Sequence, residues 1–162
     1  MYGLRRAAVR DIQAIWEVRR LAIEVGCREY YSDDDIQRWA TLPLYEGFPA
    51  VVEQTEFYVM AEASRIAAFG SLDLLKAEIG AMFVHPDFQG LGLGRRLLAT
   101  LEDVGVKSAL PSISLVATLN AERFYAAAGF KSQDRIKWKH PAGFELDCVP
   151  MRKNMEAVDD VS

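Results

Sequence analysis

Cysteine is nearly missing from this 162-residue chain, with Cys27 and Cys148 the only two. They lack any metal-ligand spacing and read as reduced thiols of a cytosolic protein. Long apolar runs are missing as well. No stretch approaches the ~20 residues of a membrane span, and the first residues show no signal-peptide pattern. Internal repeats and low-complexity tracts are absent. An excess of positive charge is also absent: the net charge of −4 argues against nucleic acid as a partner and mildly for cationic acceptors. The common phosphate-binding motifs fail in turn. No Lys-Ser/Thr pair directly follows any glycine of the Gly90–Gly94 cluster, which excludes a Walker loop there. The dinucleotide fingerprint would need a glycine where Arg95 or Leu97 stands.

What is present suffices for one domain with a sizeable core. Apolar residues make up 51% of the chain and charged residues 26%, and a domain of this size buries roughly 70% of its unfolded surface. The most informative stretch runs from Glu78 to Arg95. Ile79 to Val84 is short and apolar and is followed closely by Pro86, as a buried strand would be. Gly90, Gly92 and Gly94 follow at alternate positions, and Leu93, Leu97, Leu98 and Leu101 then share one helical face. Strand, glycine turn and helix start form an anion site. The first-turn N–H groups have no intrahelical partner, the helix dipole favours negative charge, and glycine keeps Cβ atoms out of the way. Arg95 and Arg96 add positive charge beside the turn.

Gln89-x-x-Gly92-x-Gly94, together with Asn120-Ala-Glu-Arg-Phe-Tyr125-Ala-Ala-Ala-Gly129-Phe130 further on, resembles the signature of the GCN5-related N-acetyltransferase family. The resemblance runs from about Ala77 to Phe130, and the Tyr-Ser…Trp stretch of residues 31–39 is similar to small bacterial-type members. It implies that Gln89, Gly90, Leu91, Gly92, Leu93, Gly94 and Arg95 hold the pyrophosphate of acetyl-CoA. It also implies that the backbone of Met82, Phe83 and Val84 bonds the pantetheine arm, where the strand splays from its parallel neighbour, as an added strand would. Asn120 would bond the coenzyme or cap the helix that follows it. No metal is implied.

Acetyl transfer to an amine needs a proton acceptor, a polarised carbonyl and a proton for the departing thiolate. The resemblance assigns Tyr125 as general acid, against the plain reading of a core aromatic beside Phe124. It supplies the oxyanion donor from the strand backbone, at Val84. Glu78, eleven positions before Gln89, is the candidate base; partial burial can raise a carboxyl pKa into a useful range. The competing reading of Glu78 is a polar residue at a strand start. Glu62 and His85 are further candidates for the base, with His85 expected to face solvent. Cys148 is expected to be buried and inert rather than acetylated.

In chain order, Leu4–Val9 reads as a strand and Asp11 as the cap of a helix carrying Ile12, Ile15 and Trp16. Ser32 with Asp35 opens a second helix. Asp33, Asp34 and Asp35 read as favourable first-turn charge, or alternatively as a wall of an acidic, aromatic-rimmed acceptor site. Pro43–Pro49 reads as loop. Residues 56–62 and 66–74 form an antiparallel pair, Gly80 marks a bulge, 112–117 is the parallel strand, and 130–138 with 144–152 is a closing hairpin. The resemblance turns this pattern into an α+β fold of order βααβββαβαββ with a mixed, mostly antiparallel sheet. It spans residues 1–155 as a single N-acetyltransferase domain, followed by an acidic tail, 156–162. The implied protein is a cytoplasmic, acetyl-CoA-dependent N-acetyltransferase. It acts on a small-molecule or peptide amine by direct transfer in a ternary complex, with no membrane partner and a homodimer plausible. A regulatory or structural module that binds acetyl-CoA without turnover would keep the same turn.

Overall fold

Two short reversals build the centre of the sheet. β2 (Glu56–Glu62) turns through Ala63, at a φ of 54°, into β3 (Arg65–Asp73). Asp73 Oδ1 then accepts the N–H groups of Leu75 (2.9 Å) and Lys76 (3.1 Å), closing the turn into β4 (Glu78–Val84). The computed structural model describes residues 1–156; the acidic tail lies outside them except for Glu156. β1 (Gly3–Arg6) pairs antiparallel with β2, on the far side from β3. On the other flank β4 runs parallel to β5 (Ser112–Thr118), and β5 pairs antiparallel with β8 (Glu145–Asn154). β6 (Lys131–Ser132) and β7 (Ile136–Lys139) both pair with β8. The sheet order is β1-β2-β3-β4-β5-β8-β6, with β7 also on β8.

Helices cover both faces. On one, α4 (Leu93–Lys107) buries Leu97, Leu98 and Leu101; Leu98 and Leu101 pack with Ile113, Leu115, Tyr125 and Phe130. On the other, α1 (Ile12–Gly26) buries Ile12, Ile15 and Val18 against Phe57 and Phe69. Each such side chain contributes about 1.5–3 kcal/mol on burial. α5 (Glu122–Ala127) lies between β5 and β6 in the chain. Lys153 Nζ ties β8 to both helices, reaching Glu102 (2.6 Å) and the Ala128 carbonyl (2.8 Å).

The α+β class and the mixed, mostly antiparallel sheet are as the sequence implied, but the order is βαααβββαβαβββ. The added helix is α3 (Phe48–Gln54). Pro49 sits in its first turn, where the missing N–H costs nothing, so a proline read as a breaker is a helix starter. The segment after Phe130 is split into β6 and β7, whose registers on β8 differ by one residue: Ser132 stands opposite Met151, Gln133 N–H still bonds Pro150 O (2.8 Å), and Ile136 stands opposite Cys148. Asp11 precedes α1 without capping it through its side chain. Its carboxylate instead takes both arms of Arg5 (2.7 and 2.8 Å) and the Ala8 N–H (2.8 Å), and the first strand is Gly3–Arg6, shorter than the sequence suggested. α2 (Asp33–Ala40) starts as expected, with Ser32 Oγ accepting the Asp35 N–H at 3.1 Å.

Candidate active site

The site begins with a misfit in β4. Ser71 pairs with Ala81 and Leu72 with Ile79, so Gly80 is the extra residue of a bulge, as its sequence position foretold. A Cβ there would stand 3.3 Å from Ser71 Oγ. Beyond this bend β4 leaves β5. Among the described residues the two strands keep one register pair, Glu78 with Ser114, supported by the Ser114 N–H to Ala77 carbonyl bond at 3.0 Å. From Gly80 to Val84, β4 therefore has no strand partner on its β5 side. His85 N–H still bonds Ala67 on β3 (2.8 Å). Strand alternation then turns the polar backbone of Met82 and Val84 toward the opening, and that of Phe83 toward β3.

The opening continues into a cavity of about 880 Å³. Glu78, Met82, Phe83 and Tyr125 all line it, so the chain brings its expected acid, its expected base and its splayed strand together. Tyr125 is 6% exposed and packs edge-on against Phe124 (5.1 Å) and Phe130 (5.8 Å). It is a core aromatic and a cavity wall at once. Burial alone pushes its phenol above the ordinary range, with no charge or hydrogen bond contributing. Glu78 is half-buried at the start of β4.

The glycine turn lies past the C-terminal end of β4. Gly90 and Gly92 have φ of 79° and 77°, and a Cβ on either would meet nothing within 4 Å, so the turn is open as well as left-handed. Gly92 is the N-cap of α4, and the first N–H with a partner there is that of Arg96, to Gly92 O (3.1 Å). The N–H groups of Leu93, Gly94 and Arg95 are left for a ligand. Gly94 differs from them: its Cβ position would touch Val84 (3.4 Å) and Phe124 (3.5 Å) at ordinary contact distance, so packing there admits a small side chain. Gln89 pins the turn to the strand by donating to the Val84 carbonyl at 3.3 Å. These features fit an extended ligand with an amide-rich arm along β4 and an anionic end at α4.

Other expected residues fall elsewhere. Asn120 does not cap α5, whose N-cap is Ala121; its Oδ1 accepts the Cys27 thiol at 3.4 Å, and it does not line the cavity. Glu62 is exposed and pairs with the N-terminal amine (2.6 Å). His85 is partly exposed and accepts the Asp87 N–H (3.0 Å). Asp33 and Asp34 are exposed, Asp34 pairs with Arg38, and none of the three aspartates lines the cavity. They are helix-start charge and not an acceptor wall. Cys27 and Cys148 are buried, Cys27 away from the cavity and Cys148 in its wall; burial pushes the Cys27 thiol up to about 12 and that of Cys148 upward as well.

Sequence reasoning missed most of the far side of the cavity, formed by Trp16, Arg19, Tyr45, Trp138 and His140, with Trp39 from the stretch it did flag. Their only sequence signal was aromatic residues scattered through the first 50 positions and the closing hairpin.

A sheet parted at its one parallel step, with a bulged strand on one lip and a glycine-capped helix below it, defines a coenzyme-binding acyltransferase fold. Residues 27–155 match the family described as Acetyltransferase (GNAT) domain, and the chain belongs to that family. Solved structures agree in fold. A GCN5-related N-acetyltransferase from Rhodopseudomonas palustris is 22% identical at a TM-score of 0.87, over 95% of this chain and 96% of that one. The PaiA N-acetyltransferase of Thermoplasma acidophilum, in complex with coenzyme A, is 18% identical at 0.75, over 95% and 99%. A putative acetyltransferase from Salmonella typhimurium with its cofactor acetyl-CoA is 20% identical at 0.66, over 100% and 99%. No helix among the described residues is long and apolar enough to cross a membrane.

Proposed function

We propose that residues 1–155 form one acetyl-CoA-dependent N-acetyltransferase domain that moves the acetyl group directly to an amine in a ternary complex. The observation that carries this is the meeting of Glu78, Tyr125 and the parted stretch of β4 in one cavity. The structures of similar fold that hold coenzyme A or acetyl-CoA support the choice of donor.

In this reading Met82 bonds the pantetheine arm through its outward N–H and carbonyl, Val84 through the free lone pair of its carbonyl, and Phe83 contributes its side chain. Gln89 to Arg95 receive the pyrophosphate. The Glu78 carboxylate takes a proton from the amine as its nitrogen attacks the thioester carbon. The Val84 N–H meets the negative charge that grows on the carbonyl oxygen. The C–N bond forms, the C–S bond breaks, and the Tyr125 hydroxyl gives its proton to the departing sulphur. Burial makes a lasting phenolate costly, so this transfer runs in concert with C–S cleavage. Solvent returns the proton from Glu78 to Tyr125.

Thiol release from acetyl-CoA across an amine panel, with the acetylated product weighed by mass spectrometry, tests the reading. Tight coenzyme binding without amine-dependent thiol release would mark a binding module instead.

A further inference from the structure

Arg19 lies on α1 and lines the cavity, yet it is only 7% exposed. Burying a guanidinium is costly unless something answers its charge. Two of its five N–H donors go to the last carbonyls of α2: Nη2 to Trp39 O (2.6 Å) and Nη1 to Ala40 O (3.4 Å). The negative end of that helix and the Trp16 ring, 4.3 Å away, help to hold the cation. No carboxylate among the described residues pairs with it, and three donors are left over. Burial pulls its pKa down to about 10, and Tyr45 is the one group that opposes this.

The neighbouring polar groups carry no negative charge either. Burial raises the Tyr45 pKa and so keeps its hydroxyl protonated. His140 is pushed toward its neutral form by burial and by Arg19 itself. Its Nδ1 accepts the Ala142 N–H (3.0 Å), so the neutral ring keeps its proton on Nε2 and presents a donor. Among the described residues the one acid lining the cavity is Glu78, and it makes no contribution to the charge balance of Arg19. Much of the remaining wall is aromatic, including Trp39, Phe83 and Trp138.

We propose that Arg19, with Tyr45 and His140, holds a carboxylate on the acceptor, which makes the acceptor a carboxylate-bearing amine with an apolar body. Glu78 meets the amine, the aromatic walls take the body, and Arg19 takes the acid. A polyamine would instead set a second ammonium against a buried guanidinium. The net charge of −4 favours cationic acceptors only over the outer surface, where Asp33 and Asp34 lie.

This inference rests on the acetyl-transfer reading, and binding of reaction products separates the two. Calorimetry on the coenzyme A complex compares N-acetyl-phenylalanine with N-acetyl-phenethylamine, and N-acetyl-leucine with N-acetyl-isoamylamine. The acid of each pair is expected to bind at least about tenfold tighter. Arg19→Gln should bring the pair to near parity, and Arg19→Lys should keep part of the preference. The wild-type comparison decides even where a variant fails to fold. Equal binding within each pair, no binding of either acid, or a preference that survives in folded Arg19→Gln overturns the proposal. Acid-selective binding without thiol release would sink the transfer reading and leave this one standing. Thiol release from the amines without acid preference would do the reverse.

Discussion

Glu78 and Ser114 face each other at the point where β4 and β5 stop being neighbours. The proposed base is therefore fixed to the hinge of the opening and not to a loop. A carboxylate held there keeps its place while the strands above it admit a ligand. Replacing it probes the chemistry with little effect on the turn that holds the coenzyme.

If Glu78 takes the amine proton, kcat/KM should rise with pH along a limb that stays in place when the acceptor is changed. Glu78→Gln should erase that limb and lower the rate near neutrality by about 10²-fold or more. A rising limb that follows the acceptor amine, in wild type and mutant alike, would remove Glu78 as base. The measurement is a pH–rate profile on two acceptors of different pKa.

Tyr125→Phe should lower kcat by roughly 10²-fold with coenzyme affinity nearly unchanged. The phenol has no hydrogen-bond contribution to its pKa, so removing it orphans no partner, and the melting temperature should hardly move. An unchanged kcat would leave Tyr125 as a core aromatic alone.

Gly92→Val places a branched side chain at a φ of 77°, in the space left open at the head of α4. The left-handed conformation costs about 1–2 kcal/mol of stability. Coenzyme affinity should fall at least tenfold, about 1.4 kcal/mol, in a protein whose circular dichroism is native. Unchanged affinity in the folded variant would exclude the turn from the site.

Asp11 gives stability a pH dependence of known sign. Its hydrogen bonds from Arg5 hold the carboxyl below its ordinary value, against the opposing effect of burial. A depressed folded-state pKa stabilises the fold above the unfolded value, and that stabilisation is lost as pH falls through the folded one. Asp11→Asn should cost about 2 kcal/mol in urea denaturation at pH 7, with the gap to wild type closing below about pH 4. A gap that stays constant into acid would mean that the lost contribution is packing, not charge.

Both thiols should react slowly with a disulfide reagent at pH 8 and fully once the protein is unfolded, because burial raises each of them. Fast reaction of Cys148 in the native protein would reopen a covalent acetyl-thiol route.

The glycine turn and the bulge were readable because they are local. Gln89, Gly92 and Gly94 sit within one turn, and Gly80 needs only its own strand to signal a bulge. The far wall of the cavity was not, because Arg19, Tyr45 and His140 meet only after α1, the loop before α3 and the end of β7 have packed together. Two polar residues near helix starts also misled, in the same direction. Asp11 precedes α1 but is claimed by Arg5, and Asn120 precedes α5 but is claimed by Cys27; each tertiary partner outbids the local cap. Pro49 shows that one residue type can open a helix or break it, depending on which turn it occupies.

A sheet ordinarily ends at its two outer rims, where unpaired amides meet water. The departure of β4 from β5 gives this one a further edge in its interior. Backbone amides of Met82 and Val84, though central in the molecule, should exchange their hydrogens with solvent faster than those of β3 one strand away. That edge is also the sort of surface that seeks another strand, here turned inward where a second chain cannot reach it. Whatever lies along it completes the sheet, so a bound ligand would act as one more strand of the fold.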